Sequence, residues 1–197
     1  MSLTMIWNHL ALVLSALILA VAAGVPLGLV AYLSPNVGKV LLWAADLIQT
    51  IPALALLGVI MVIAGPGSPT AMIGLALYSL LPIARNTSLG LSQVPAHLKE
   101  AAAGMGGTET QTLLRVKLPM AAGVILAGVR NMVVMTVSVA GIASFVGAGG
   151  LGVSIYRGIT IYNPAMTAAG SIFIAALAVL LDVLLGRLEK HLKKYGS

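Results

Sequence analysis

Cysteine is absent from this chain of 197 residues, and charge is scarce, at 8% against a hydrophobic fraction of 59%. Without thiols the chain holds no disulfide, cysteine nucleophile or thiolate metal site. The shortage of charge excludes more, because a soluble domain needs roughly 25% charged residues to solvate its surface. A mean hydropathy of +1.06 points the same way. Aromatics are also few, with two Trp, five Tyr and two Phe, and no aromatic cage for a cation can be assembled from the sequence. His9, His97 and His191 stand far apart at the edges of the apolar runs, which argues against a metal or acid–base cluster. What remains is an all-α integral membrane protein, a single transmembrane domain over residues 1–197. Its net charge of +6 is read as topological, not as a footprint for nucleic acid.

Charged residues divide the chain into apolar stretches. None occurs before Lys39, and the nearly continuous aliphatic run over 10–32 is a first span, too long for the core of a cleaved leader. The uncharged stretch from Leu47 to Ala84 is broken by Gly65-Pro66-Gly67-Ser68-Pro69, a turn signal, which predicts a hairpin of spans over 40–63 and 70–91. A polar segment over 94–119 follows, then spans over 120–146 and 164–186. Five spans put the termini on opposite sides. Placing Lys39, Lys99, Arg115, Lys117 and the basic tail from Arg187 in the cytoplasm leaves Arg157 alone outside, which sets the N-terminus outside. Trp7, Trp43 and Tyr195 then lie near interfaces.

The polar segment carries the most specific pattern. It reads Glu100-Ala101-Ala102, three residues, Gly106, nine residues, then Val116-Lys117-Leu118-Pro119. Alanines make a slim helix. Gly106 and Gly107 permit a sharp turn because they tolerate positive φ, and Pro119 suits the first turn of the next helix. The segment resembles the EAA loop of the permease subunits of ABC importers, complete except that Val116 stands where Ile is commonest. Gln49-Thr50-Ile51-Pro52-Ala53-Leu54 and Tyr78-Ser79-Leu80-Leu81-Pro82-Ile83-Ala84-Arg85-Asn86-Thr87 resemble the osmoprotectant branch. Phe145-Val146-Gly147-Ala148-Gly149-Gly150-Leu151-Gly152 is shared with methionine importers.

The resemblance implies a type I importer permease fold in the bacterial inner membrane. It implies import of glycine betaine, carnitine or choline, with a methionine or other amino-acid substrate as the alternative. The partners it implies are an ABC ATPase dimer that binds ATP and Mg, a second permease, identical or a sister chain, and an extracytoplasmic substrate-binding protein. This chain itself would hold no cofactor and perform no catalysis. Glu100, Ala101, Ala102, Gly106, Gly107, Leu118 and Pro119 would couple to the ATPase.

Polar residues within the spans are the remaining candidates. Pro82 can kink the third span beside Arg85 and Asn86, which are either a gate or hinge or a simple anchor at the inner leaflet. Gly147, Gly149 and Gly150 supply a bend near the outer mouth, and the absence of a following Gly-Lys-Ser/Thr excludes a P-loop. Asp46 and Arg130 are an expected ion pair near the inner boundary, and Asp182 with Arg187 another. An intramembrane protease would need Ser and His in facing spans, and a secondary carrier would need inverted repeats and midplane ion ligands. Neither pattern is found in the sequence.

Overall fold

The computed structural model describes residues 2–193, and the side chains of 188 and 191–193 are outside the description. Tyr195 and the tail from Lys194 onward, counted above, therefore lie outside the described residues. The described chain is helical. Helices α1 (Leu3–Leu33), α2 (Pro35–Thr50), α3 (Ala53–Ala64) and α4 (Ser68–Ser92) lead to the short α5 (Ala96–Gly104) and α6 (Glu109–Thr112). A π-helical turn over Leu113–Lys117 runs into α7 (Leu118–Ala140). A 3-10 turn over Ile142–Val146, α8 (Gly152–Thr160) and α9 (Pro164–Lys193) complete the fold.

Among the described residues, three segments are long and apolar enough to cross a membrane by themselves: α1, the run Glu109–Ala140, and Pro164–Arg187 of α9. The expected second span is not one helix. It is α2 and α3, bent by 100° at Ile51 and Pro52, and the two qualify as a span only when taken together. The cause is local: the proline ring disfavours the helical region for the residue before it, and Ile51 is extended at φ −75°, ψ 126°. Helix α4 is 25 residues long yet is not among the apolar spans, since Tyr78, Ser79, Arg85, Asn86 and Thr87 lower its hydropathy. It is the central helix, packed against α1, α2, α3 and α7, and of its polar side chains Ser79 and Thr87 are buried while Arg85 is exposed.

Small residues set how close the central helices come. Ala16, Ala20, Gly24 and Gly28 repeat every fourth residue on the buried stripe of α1, which crosses α4 there. A Cβ at Gly28 would lie 2.4 Å from the Ala84 carbonyl oxygen and 2.5 Å from Thr87 Cβ. Lipid tails are as apolar as leucine, so such close backbone packing and interhelical hydrogen bonds drive association more than hydrophobic transfer does. Across the α4–α7 crossing, Ser79 Oγ and Thr136 Oγ1 are 2.7 Å apart and buried. Ser79 donates to the Leu75 carbonyl, leaving its oxygen to accept from Thr136.

Both glycine-rich segments meet at the end of the bundle opposite α5. Gly67 N–H donates to the Val146 carbonyl at 2.7 Å, and Thr70 Oγ1 donates to the Gly65 carbonyl. His9, expected at a span edge, is instead fully buried inside α1. The reason is that α1 begins at Leu3. Its Nε2 lies 3.1 Å from the Val137 carbonyl, where the Gly141 N–H has turned to Ser138 and the α-helix tightens into the 3-10 turn.

Candidate coupling loop and the polar seam of the broken span

Helix α5 holds Glu100, Ala101 and Ala102 and ends in a Schellman motif. Gly106 N–H donates to the Ala103 carbonyl at 2.9 Å and Gly107 N–H to the Ala102 carbonyl at 3.0 Å. Gly106 sits at φ +79°, which disfavours any residue with a Cβ. Gly107 is needed for a different reason from the one expected. It is not among the positive-φ residues, but a Cβ there would lie 2.8 Å from the Ala102 carbonyl oxygen. Ala102 is buried beneath the helix, while Glu100, Ala101, Ala103 and Met105 are exposed. Two clefts flank α5. One of 380 Å³ lies between Tyr32, Lys99, Ala103, Glu109 and Lys117, and one of 270 Å³ is lined by Met105, Gly106, Gln111, Arg115 and Val116.

The return to the bundle is rigid. Thr108 Oγ1 accepts from Gln111 N–H while Gln111 Oε1 accepts from Thr108 N–H, a capping box that starts α6. From Glu109 to Ala140 the chain then runs as one helical segment of 32 residues. Leu118 and Pro119 are thus inside a continuous run and not at a fresh helix start. Proline cannot donate to the residue four before it, and the π turn directly ahead, closed by Leu118 N–H to the Leu113 carbonyl, lets the helix pass that position. Lys117 Nζ stands 5.3 Å above the Tyr32 ring, tying the loop to the end of α1.

The expected Asp46–Arg130 pair does not form. Asp46 on α2 pairs with Arg85 on α4, both its oxygens 2.7 Å from Arg85 Nη2. Arg130 pairs with α9: Nε and Nη2 donate to Asp182 at 2.7 and 2.8 Å, and Nη1 donates to Glu189 at 3.0 Å. Asp182 therefore pairs with Arg130 and not with Arg187. Gly186 makes room, since a Cβ there would meet the Arg130 guanidinium carbon at 2.9 Å.

Pro82 and the α2–α3 break face each other. Pro82 has no N–H for the Tyr78 carbonyl, and Gln49 Nε2 donates to that oxygen at 3.0 Å. Tyr78 Oη in turn donates to the Ile51 carbonyl, in the non-helical link ahead of Pro52. Asn86 Nδ2 donates to the Pro82 carbonyl at 2.8 Å and packs where α7 has Gly128. At the opposite end, Gly147, Gly149 and Gly150 all have positive φ, between 78° and 82°. Among the described residues no group of three or more His, Asp or Glu could hold a metal ion.

Residues 16–194 match the family described as binding-protein-dependent transport system inner membrane component. The chain belongs to that family. The permease is 43% identical over 187 residues to the carnitine transport permease protein OpuCD of Listeria monocytogenes, covering 94% of this chain and 84% of that protein. It is 42% identical over 195 residues to the osmoprotectant import permease protein OsmW of Salmonella typhimurium, covering 96% and 91%. An inward-facing structure of the MetNI methionine ABC transporter superposes with a TM-score of 0.86 at 24% identity, over 98% of this chain and 99% of that one. The fold is that of type I ABC importer permeases, multi-pass in the inner membrane. Such a subunit works with a substrate-binding protein and a separate ATPase.

Proposed function

We propose that this permease forms, with a second permease, the membrane path for a small quaternary ammonium osmoprotectant: glycine betaine, carnitine or choline. The observation that carries the substrate class is the identity of up to 43% to permeases named for carnitine and osmoprotectant transport. The methionine alternative rests on a likeness of fold at 24% identity, which does not speak to substrate.

Helix α5 docks on a partner ATPase, with Glu100, Ala101, Ala102, Gly106 and Gly107 at the contact and Leu118 and Pro119 fixing the exit. The partner ATPase dimer binds ATP and Mg. Its closure displaces α5, and the uninterrupted run from Glu109 carries that displacement into α7. Pro82, Arg85 and Asn86 act as the joint of the motion, and Gly147, Gly149 and Gly150 lie at the outer gate. ATP and the loaded binding protein must both favour the outward-facing state, since only differential affinity shifts an equilibrium. The N-terminus faces outside and the basic C-terminal end faces the cytoplasm, an orientation that the distribution of Lys and Arg favours.

The test is uptake of labelled glycine betaine, carnitine and choline into proteoliposomes holding the full complex, with ATP inside and the binding protein outside. Uptake of at least one of the three that needs both ATP and the binding protein is expected. Uptake of methionine with none of these three would overturn the reading.

A further inference from the structure

The cleft of 380 Å³ between α5 and the end of α1 holds cations that nothing among the described residues pairs. Lys99 and Lys117 both line it, and both are half-buried. Neither makes a hydrogen bond or an ion pair among the described residues, although Glu109 lines the same cleft. The Tyr32 ring, 5.3 Å from Lys117 Nζ, positions that ammonium and leaves its charge in place. Thr112 is only 8% exposed, yet its hydroxyl is also without a hydrogen bond among the described residues. A Cβ at Gly107 would stand 3.5 Å from Thr112 Oγ1, so the bare glycine leaves that oxygen open toward the cleft both residues line. Two ammonium groups and a hydroxyl are thus donors left without an acceptor.

The cleft also opens onto the lipid-facing side of α1. Leu33 lines it, and Leu19, Ala23, Pro26, Val30 and Leu33 are all exposed. Spaced four, three, four and three residues apart, they form one apolar stripe along a helix long enough to cross the membrane. An amphiphile with its charged head in the cleft can lay its chains along that stripe, which a free anion cannot use.

We infer that this cleft binds an anionic phospholipid of the inner leaflet, its headgroup phosphate held by Lys99, Lys117 and the Thr112 hydroxyl. Charge-assisted bonds from lysine to phosphate are about twice as strong as neutral ones, and basic pockets beside spans on the cytoplasmic side suit lipid headgroups. The bound lipid joins α5, the π turn and the end of α1 at the membrane surface. Glu109 opposes the anion, so the two lysines act against one carboxylate. The inference takes from the proposed function only that α5 is cytoplasmic, and nothing about what is transported.

The experiment titrates phosphatidylglycerol, and in parallel phosphatidylethanolamine, into the full complex in neutral detergent and reads bound lipid by native mass spectrometry. The wild type should hold phosphatidylglycerol about tenfold more tightly than phosphatidylethanolamine. Lys99→Gln together with Lys117→Gln should weaken it about thirtyfold. Thr112→Val keeps both charges and the side-chain shape and should weaken it about fivefold, the net worth of one hydrogen bond, while Glu109→Gln should tighten it. Lys39→Gln together with Arg115→Gln removes the same charge from residues that do not line this cleft, and should stay within about twofold. Inorganic phosphate in large excess should not displace the lipid. Where the double lysine variant fails to assemble, Thr112→Val and Glu109→Gln decide, and no change in either overturns the inference. Equal weakening by the Lys39 and Arg115 changes, displacement by phosphate, or an assembled wild-type complex that holds no phosphatidylglycerol would each overturn it too. None of these outcomes touches the osmoprotectant reading, which stands or falls on uptake.

Discussion

Gln49 donates to the Tyr78 carbonyl, 3.0 Å away, and that oxygen is the one Pro82 leaves without a helical donor. Two proline-made interruptions, one at Pro52 and one at Pro82, therefore repair each other through side chains on α2 and α4. The bent span is held by hydrogen bonds specific to its bend.

Gln49→Leu should thus destabilise the permease by about 1 kcal/mol, the net worth of a hydrogen bond whose partner is left partly buried. In a Pro82→Ala background an N–H is restored at position 82 and the same change should cost much less. Thermal unfolding of the four combinations in nanodiscs measures the coupling, and additive effects would show that the two residues are independent.

The α1–α4 crossing is sensitive to single atoms. Gly28→Ala puts a methyl 2.4 Å from a backbone oxygen that cannot rotate away, and should cost about 1 to 3 kcal/mol as the helices are forced apart. Gly58→Ala, with nothing within 4 Å of the added methyl, is the matched control and should be near neutral. The melting temperatures of the two variants check this.

Much of this was legible in the sequence, for reasons that differ by element. Long uncharged runs give α1, α7 and α9, and the Glu100 to Gly107 spacing gives helix α5 and its glycine turn. Hydropathy cannot distinguish a straight span from a bent one, yet Ile51 before Pro52 carried the signal for the break. The four-residue repeat from Ala16 to Gly28 was also readable as a close-packing stripe. The ion-pair partners were not readable, because Asp46 and Arg85 are 39 residues apart and Arg130 and Asp182 are 52 apart. Only the packing of α2 on α4 and of α7 on α9 decides who meets whom. His9 was misplaced because its burial depends on where α1 begins and on the carbonyl freed at Val137.

Arg130 joins α7 to α9 through bonds to Asp182 and Glu189. Arg130→Met should lower the melting temperature and the yield of assembled complex, whereas Arg130→Lys, keeping the charge, should recover part of both. Gel filtration with thermal scanning reads the outcome, and a Met variant as stable as wild type would remove the structural role.

The proposed orientation is open to direct labelling, because the native chain has no cysteine. A cysteine placed at Ser68 should react with an impermeant maleimide added outside intact cells. One placed at the exposed Thr108 should react only after the membrane is permeabilised. The reverse pattern would invert the proposed topology.

If the α5 helix and its glycine turn deliver the ATPase stroke to α7, ATP hydrolysis by the full reconstituted complex carrying Gly106→Asp, with and without loaded binding protein, reads it most directly. The variant adds a side chain and a negative charge where the chain has φ +79° and faces outward. The account predicts normal insertion of the permease, loss of binding-protein stimulation by about tenfold or more, and uptake falling in step. Unchanged stimulation together with unchanged uptake would contradict it.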